Sequence, residues 1–133
     1  MTVDGIFEEI FELRRLDVTE QTKRSHSDRG KATENGACGI AILAIRALTS
    51  LEVLQQAIVG TGFDYWLVSS QSGFPFQGAA RLEVSGIRKG DERALRARVQ
   101  QKLRQTERSA EGSPLLVAVV EFGGARMRII RRW

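Results

Sequence analysis

The sequence predicts an α/β domain in which a mixed central sheet is flanked by helices, in the order α-βββ-α-ββ, with an extra amphipathic helix at the N-terminus. Three observations predict it. Residues 51–59, 63–69 and 79–87 are strand-like runs separated by Gly60-Thr61-Gly62 and by the turn-rich stretch from Ser69 to Phe76. Residues 91–108 then place Leu95, Val99 and Leu103 at helical spacing among basic side chains. Leu115 to Phe122 is an unbroken apolar run of the kind found in a strand buried on both faces, and such strands are usually parallel to a neighbour reached by a helical crossover.

Taken in order, residues 4–16 repeat Ile6, Phe7, Ile10, Phe11 and Leu13 with Glu8, Glu9 and Glu12 between them, the pattern of an amphipathic helix, which we assign to residues 1–18 as a whole. Residues 19–33 are polar and aperiodic and read as a loop. The first helix then either caps the core or offers its apolar stripe to a second copy of the chain or to another protein. The α/β core spans residues 34–133 within a single domain. It opens on a helix from Glu34 to Leu48 that is apolar or small almost all the way round, with Thr33 as its N-cap. The three strand-like runs form an antiparallel meander. In the third, alternation places Arg81, Glu83 and Ser85 on one face and Ala80, Leu82, Val84 and Gly86 on the other, and the polar face is expected to be the active one. Asp91 caps the basic helix, Leu115 to Phe122 follows, and Gly123-Gly124 turns the chain into a last strand from Arg126 to Arg132.

Composition excludes several classes of function. No apolar run is long enough to span a bilayer, and the opening Met1-Thr2-Val3-Asp4 soon reaches Glu8 and Glu9, unlike a secretory leader, so a cytoplasmic protein without a membrane partner is expected. The lone Cys38 excludes an internal disulfide and the lone His26 a His-rich zinc site, which leaves hard, oxygen-ligated ions as the candidate metals. His26 lies beside Ser25, Ser27 and Asp28, but neighbours in a loop cannot adopt triad geometry. Gly60-Thr61-Gly62 lacks the lysine and spacing of a phosphate-binding loop and reads as a turn. Phe63, Tyr65 and Trp66 read as core rather than as base-stacking platforms, and Cys38 as inert packing.

Charge points to a polyanionic partner. Lys and Arg number 20 against 16 Asp and Glu, and the excess gathers in the C-terminal half, where arginine predominates. Lys89, Arg93, Arg96, Lys102 and Arg104 are the candidate contacts to DNA or RNA, along a helix able to track a phosphate backbone. A solvated helix face is the other reading of the same charges.

The candidate catalytic residues are the carboxylates set into the strands. Asp64 and Glu83 each interrupt an apolar run, and if the two runs pair they bring two oxygen donors onto one sheet, the arrangement that holds a divalent cation. Glu34 has two readings: a negative charge favoured in the first turn of its helix, or a third carboxylate over the sheet edge.

The order of elements over residues 34–131, with Asp64 on the second strand and Glu83-Val84-Ser85 on the third, resembles the core of the PD-(D/E)xK nuclease superfamily, the restriction-endonuclease-like fold. The resemblance implies a Mg2+- or Mn2+-dependent nuclease with Glu34, Asp64 and Glu83 around the metal, acting on phosphodiester bonds, and a homodimer through the first helix. Ser85 stands where that family carries its motif lysine. Ser85 could hold a water, and Arg81 or Lys89 could supply the missing charge, although an always-protonated arginine cannot accept a proton. The alternative from a different class is a nuclease-like fold without catalysis, serving as a nucleic-acid-binding or protein-interaction module.

Overall fold

A computed structural model describes residues 1–5, 9–10, 28–57, 64–69, 79–107 and 113–132. The elements are β1 (Thr2–Gly5), β2 (Glu9–Ile10), α1 (Arg29–Leu48), β3 (Leu51–Gln56), β4 (Tyr65–Ser69), β5 (Ala80–Ile87), α2 (Glu92–Gln105), β6 (Leu115–Glu121) and β7 (Arg126–Arg132). The strands form one mixed sheet in the order β2-β1-β7-β6-β5-β4-β3. The pairs β3–β4, β4–β5 and β6–β7 are antiparallel, whereas β5–β6 and β1–β7 are parallel.

Strand β6 shows why the sheet is covered on both sides. Its alternate side chains Leu115, Val117 and Val119 pack with Leu95 and Val99 of α2, and Leu116, Ala118 and Val120 pack with Ala37, Ala41, Ala44 and Ile45 of α1. The unbroken apolar run is thus the middle layer of a three-layer domain. The seam anticipated on α2 is present, with Leu95 and Val99 buried and Leu103 half-buried, and Asp91 is the N-cap, its carboxylate accepting from the Ala94 amide at 2.8 Å.

The small side chains on the buried face of α1 let its backbone approach β5 closely. A Cβ on Gly86 would lie 2.7 Å from the Thr33 carbonyl oxygen and 3.1 Å from Ala37 Cβ, so only glycine fits there. The helix begins five residues before its expected start. Asp28, not Thr33, is the N-cap, accepting from the Lys31 amide at 3.1 Å, while the Thr33 hydroxyl donates back to the Arg29 carbonyl at 2.7 Å inside the helix. A carboxylate is a good cap acceptor, and the polar composition of residues 29–33 concealed ordinary helix.

The N-terminal reading is corrected more strongly. Within the expected 4–16 helix, residues 4–5 belong to β1 and 9–10 to β2, and residues 6–8 and 11–16 lie outside the described residues. Two features hold residues 2–5 in the sheet. Val3 is buried in the α1-side core, and Asp4 pairs with Arg128 at 3.0 Å across the parallel β1–β7 register. Gly5 has φ +99°, incompatible with a helix, and any side chain there would run into the Ile129 carbonyl. Residues 2–5 therefore extend the sheet past β7 rather than forming an appendage. The segment 19–27, His26 included, together with Gly60-Thr61-Gly62, Phe63 and the turn after Ser69, lies outside the described residues.

Candidate functional site

Strand β5 outruns its neighbour. The β4–β5 ladder ends at Tyr65↔Leu82, and the Asp64 amide adds one further bond to the Leu82 carbonyl at 2.9 Å. Beyond that point the β5 amides facing the vacated edge meet side chains instead of backbone. Asp64 Oδ2 accepts from the Val84 amide at 2.7 Å, and the Glu34 carboxylate, reaching from α1, accepts from the Gly86 amide at 3.2 and 3.3 Å. Two of the three expected carboxylates therefore close an open strand edge, a structural task that any buried edge amide demands. Glu34 lies in the second turn of α1, so the first-turn dipole argument does not apply to it.

Glu83 points to the other face of β5, beneath α2. The alternation anticipated for Arg81, Glu83 and Ser85 is present, but the polar face is not open: the three are 4, 3 and 1 % exposed. Helix α2 roofs them because its buried seam is narrow, which leaves polar side chains along its flank to meet the strand. Glu83 Oε1 accepts from Lys102 Nζ at 3.0 Å and from Gln105 Nε2 at 3.4 Å. Burial, and next the charge of Asp64, push the Glu83 carboxyl up to about 7, against the pull of Lys102, and the protonated form shares a hydrogen bond with Asp64. Asp64 thus stands opposite Glu83, bonded to the backbone on either side of it.

Glu34 does not complete a cluster with them, since among the described residues no group of three or more His, Cys, Asp or Glu side chains is placed to hold a metal ion. A pair still suits magnesium, which is commonly held by one or two carboxylates together with waters and substrate phosphates.

The remaining candidates are placed as follows. Ser85 Oγ accepts from Arg98 at 2.7 Å, and the same guanidinium nitrogen reaches the Gly86 carbonyl at 3.2 Å. Arg81 turns away from the carboxylates and donates to the Thr106 carbonyl at 3.3 Å and the Ser113 carbonyl at 2.6 Å, tying the end of α2 to the start of β6. Burial lowers its pKa, with Arg132 adding to the effect. Lys89 is exposed beyond the end of β5, against the Gly123–Gly124 turn. Neither Arg81 nor Lys89 stands in for the motif lysine. Of the expected nucleic-acid contacts, Arg93, Arg96 and Arg104 are exposed on α2, Arg96 pairing with Glu92 at 3.3 Å, whereas Lys102 is turned inward with its side chain 18 % exposed.

Tyr65 and Cys38 sit behind the pair. Burial raises the Cys38 thiol, its hydrogen bond with Tyr65 opposes this, and the charges of Asp64, Glu34 and Glu83 raise it further, which agrees with an inert thiol. Burial and the bond to Cys38 push the Tyr65 phenol up to about 12.

Arg98 and Gln105 were not assigned to the site from the sequence, and Lys102 was assigned as a nucleic-acid contact rather than as the partner of Glu83. Their spacing of four and then three residues puts them along one flank of the Leu95–Val99–Leu103 seam, a signal that would have found them. Comparison with known protein families, curated proteins and solved structures returns no match.

Proposed function

We propose that this chain is a magnesium- or manganese-dependent nuclease of the restriction-endonuclease-like type, with Asp64 and Glu83 as its metal ligands. One observation carries the reading: Asp64, just before β4, bonds to the Leu82 carbonyl and the Val84 amide on either side of Glu83 and so stands opposite it on the sheet, and Glu83 holds a lysine ammonium. Placing like charges together raises the proton affinity of the pair, an arrangement that is unfavourable unless a cation or a proton is supplied. A divalent cation held by the pair would supply positive charge to a phosphodiester in the transition state. Lys102 anchors Glu83 and carries the motif lysine's charge to the site from α2. Ser85 keeps Arg98 in place rather than serving as an acceptor of the reacting proton.

A second reading has its own support. Glu83 is 3 % exposed and already accepts from Lys102 and Gln105, as a structural carboxylate in a protein-interaction or binding module would. The test is cleavage of labelled single-stranded DNA, duplex DNA and RNA with magnesium or manganese, beside the double variant Asp64→Ala with Glu83→Ala. Metal-dependent cutting lost in the variant supports the nuclease. A folded wild-type chain that cuts none of the substrates overturns it in favour of the module.

A further inference from the structure

Two adjoining cavities lie between the start of α1 and the end of β5. One, of about 320 Å3, is lined by Arg29, Arg88, Arg98 and Glu34 among others; the second, of about 520 Å3, shares Arg29 and Arg88 and adds Phe122 as an apolar wall. Both volumes fall in the roughly 300–1,000 Å3 range of small-ligand pockets. Arg29 and Arg88 are exposed and their guanidinium groups make no hydrogen bond or ion pair among the described residues, whereas Arg98 is fixed by Ser85 and Gly86. Three guanidinium groups thus border a concave space in which, among the described residues, Glu34 is the one lining carboxylate, and that carboxylate is engaged by the Gly86 amide. Guanidinium groups match phosphate oxygens in geometry and charge, and an aromatic wall offers a stacking surface.

We propose that this groove binds one unpaired nucleotide of a nucleic-acid strand, its phosphate among Arg29, Arg88 and Arg98 and its base against Phe122. A base inside a duplex cannot enter a pocket of this kind without leaving its stack, so the preferred ligand is single-stranded. The inference names the substrate class for the proposed nuclease and rests on that reading for its biological meaning. The binding itself is measurable without any cleavage.

The probe is a fluorescein-labelled oligothymidylate, titrated with the full chain in EDTA and followed by anisotropy, beside a duplex of equal length and an abasic strand that keeps the phosphates. Wild type should bind the single strand about tenfold more tightly than either, and Arg29→Ala with Arg88→Ala should weaken single-strand binding about tenfold. The same double variant should make the slope of log K against log salt shallower by about 0.7, for the one phosphate no longer neutralised. Phe122→Leu should narrow the gap between the normal and abasic strands. Arg46→Ala with Arg131→Ala, on exposed positions of α1 and β7 outside the groove, should leave affinity within about twofold, and equal melting temperatures establish that the variants fold. Equal losses in the two double variants, equal affinity for duplex and single strand, or no binding by wild type overturns the inference. Because metal is absent throughout, none of these results bears on whether the chain cuts.

Discussion

Lys102 of α2 donates to Glu83 of β5 at 3.0 Å beneath the helix, with side chains 18 and 4 % exposed, so the strand carboxylate is neutralised by a lysine from the next element of the chain. Removing one partner of a buried pair strands the other, at up to about 3–5 kcal/mol when the lone charge cannot escape. Glu83 can escape by taking up a proton, and Lys102 is partly solvated. The expected cost of Lys102→Met is therefore about 1–2 kcal/mol at pH 8 and less at pH 5, where Glu83 is already protonated. Thermal melts of the two proteins at both pH values check this. An equal loss at both would mean that Lys102 contributes packing alone.

The carboxyl of Glu83 makes a signed prediction about stability. Its folded value of about 7 lies above the ordinary 4.5, so the native state holds more protons than the unfolded chain between those values. Stability from this group therefore falls as pH rises from about 4.5 through 7 and stays lowered above. One pKa unit corresponds to about 1.4 kcal/mol, so the swing is roughly 3–4 kcal/mol. Glu83→Gln should flatten the wild-type decline over that window in urea denaturation at successive pH values, and a parallel decline in the variant would refute the assignment.

Glu121 has the opposite sign. Burial alone would raise it, but the Gly124 and Gly90 amides at 2.8 and 3.2 Å, with the Arg126 guanidinium, bring its pKa below the ordinary value. Its contribution is present above the unfolded value of about 4.5 and is lost as pH falls below it. Glu121→Ala, which leaves two amides and a guanidinium without their acceptor, should cost about 2–4 kcal/mol at pH 7 and progressively less as pH falls toward 3. Denaturant midpoints at the two pH values read the difference.

The part of the fold that was legible in the sequence is the part with simple periodicity. Residues 115–122 and the Leu95–Val99–Leu103 seam announced a strand buried on both faces and the helix crossing to it, because close packing on a sheet leaves no polar option at those positions. The N-terminus misled because Ile6, Phe7, Ile10 and Phe11 fit a helical stripe, whereas residues 2–5 are held in the sheet by Val3, the Asp4–Arg128 pair and the φ of Gly5, all set by β7 more than a hundred residues away. The antiparallel pairing of the strands that follow Asp64 and contain Glu83 was legible from strand order. That Glu83 faces α2 while Asp64 and Glu34 face the strand edge was not legible, since alternation states which residues share a face but not which helix covers it.

Gly86 sets how closely α1 approaches the sheet, and hence where Glu34 reaches the strand. The added Cβ of Gly86→Ala would sit 2.7 Å from the Thr33 carbonyl and 3.1 Å from Ala37 Cβ, contacts to backbone and to a short side chain that cannot swing away. The helix must move, at about 1–3 kcal/mol as for other overpacked interiors. Urea denaturation should show that loss with an unchanged slope, and the outward shift of α1 should detach Glu34 from the Gly86 amide, read as faster hydrogen exchange at that amide.

Asp64 separates the structural task of the site from the proposed metal. Its Oδ2 accepts from the Val84 amide at 2.7 Å, and an asparagine oxygen can do the same, so Asp64→Asn keeps the strand edge closed while removing the charge. Asp64→Ala removes both and should cost about 1 kcal/mol more. Under the proposed function, magnesium at ten times its dissociation constant adds about 1.4 kcal/mol to wild-type stability, a rise of about 5 °C in Tm for a domain of this size. Asp64→Asn should abolish that rise while its metal-free Tm stays above that of Asp64→Ala. A magnesium response that survives in Asp64→Asn would place the ion elsewhere and remove Asp64 from the metal site, leaving the edge amide of Val84 as its one task.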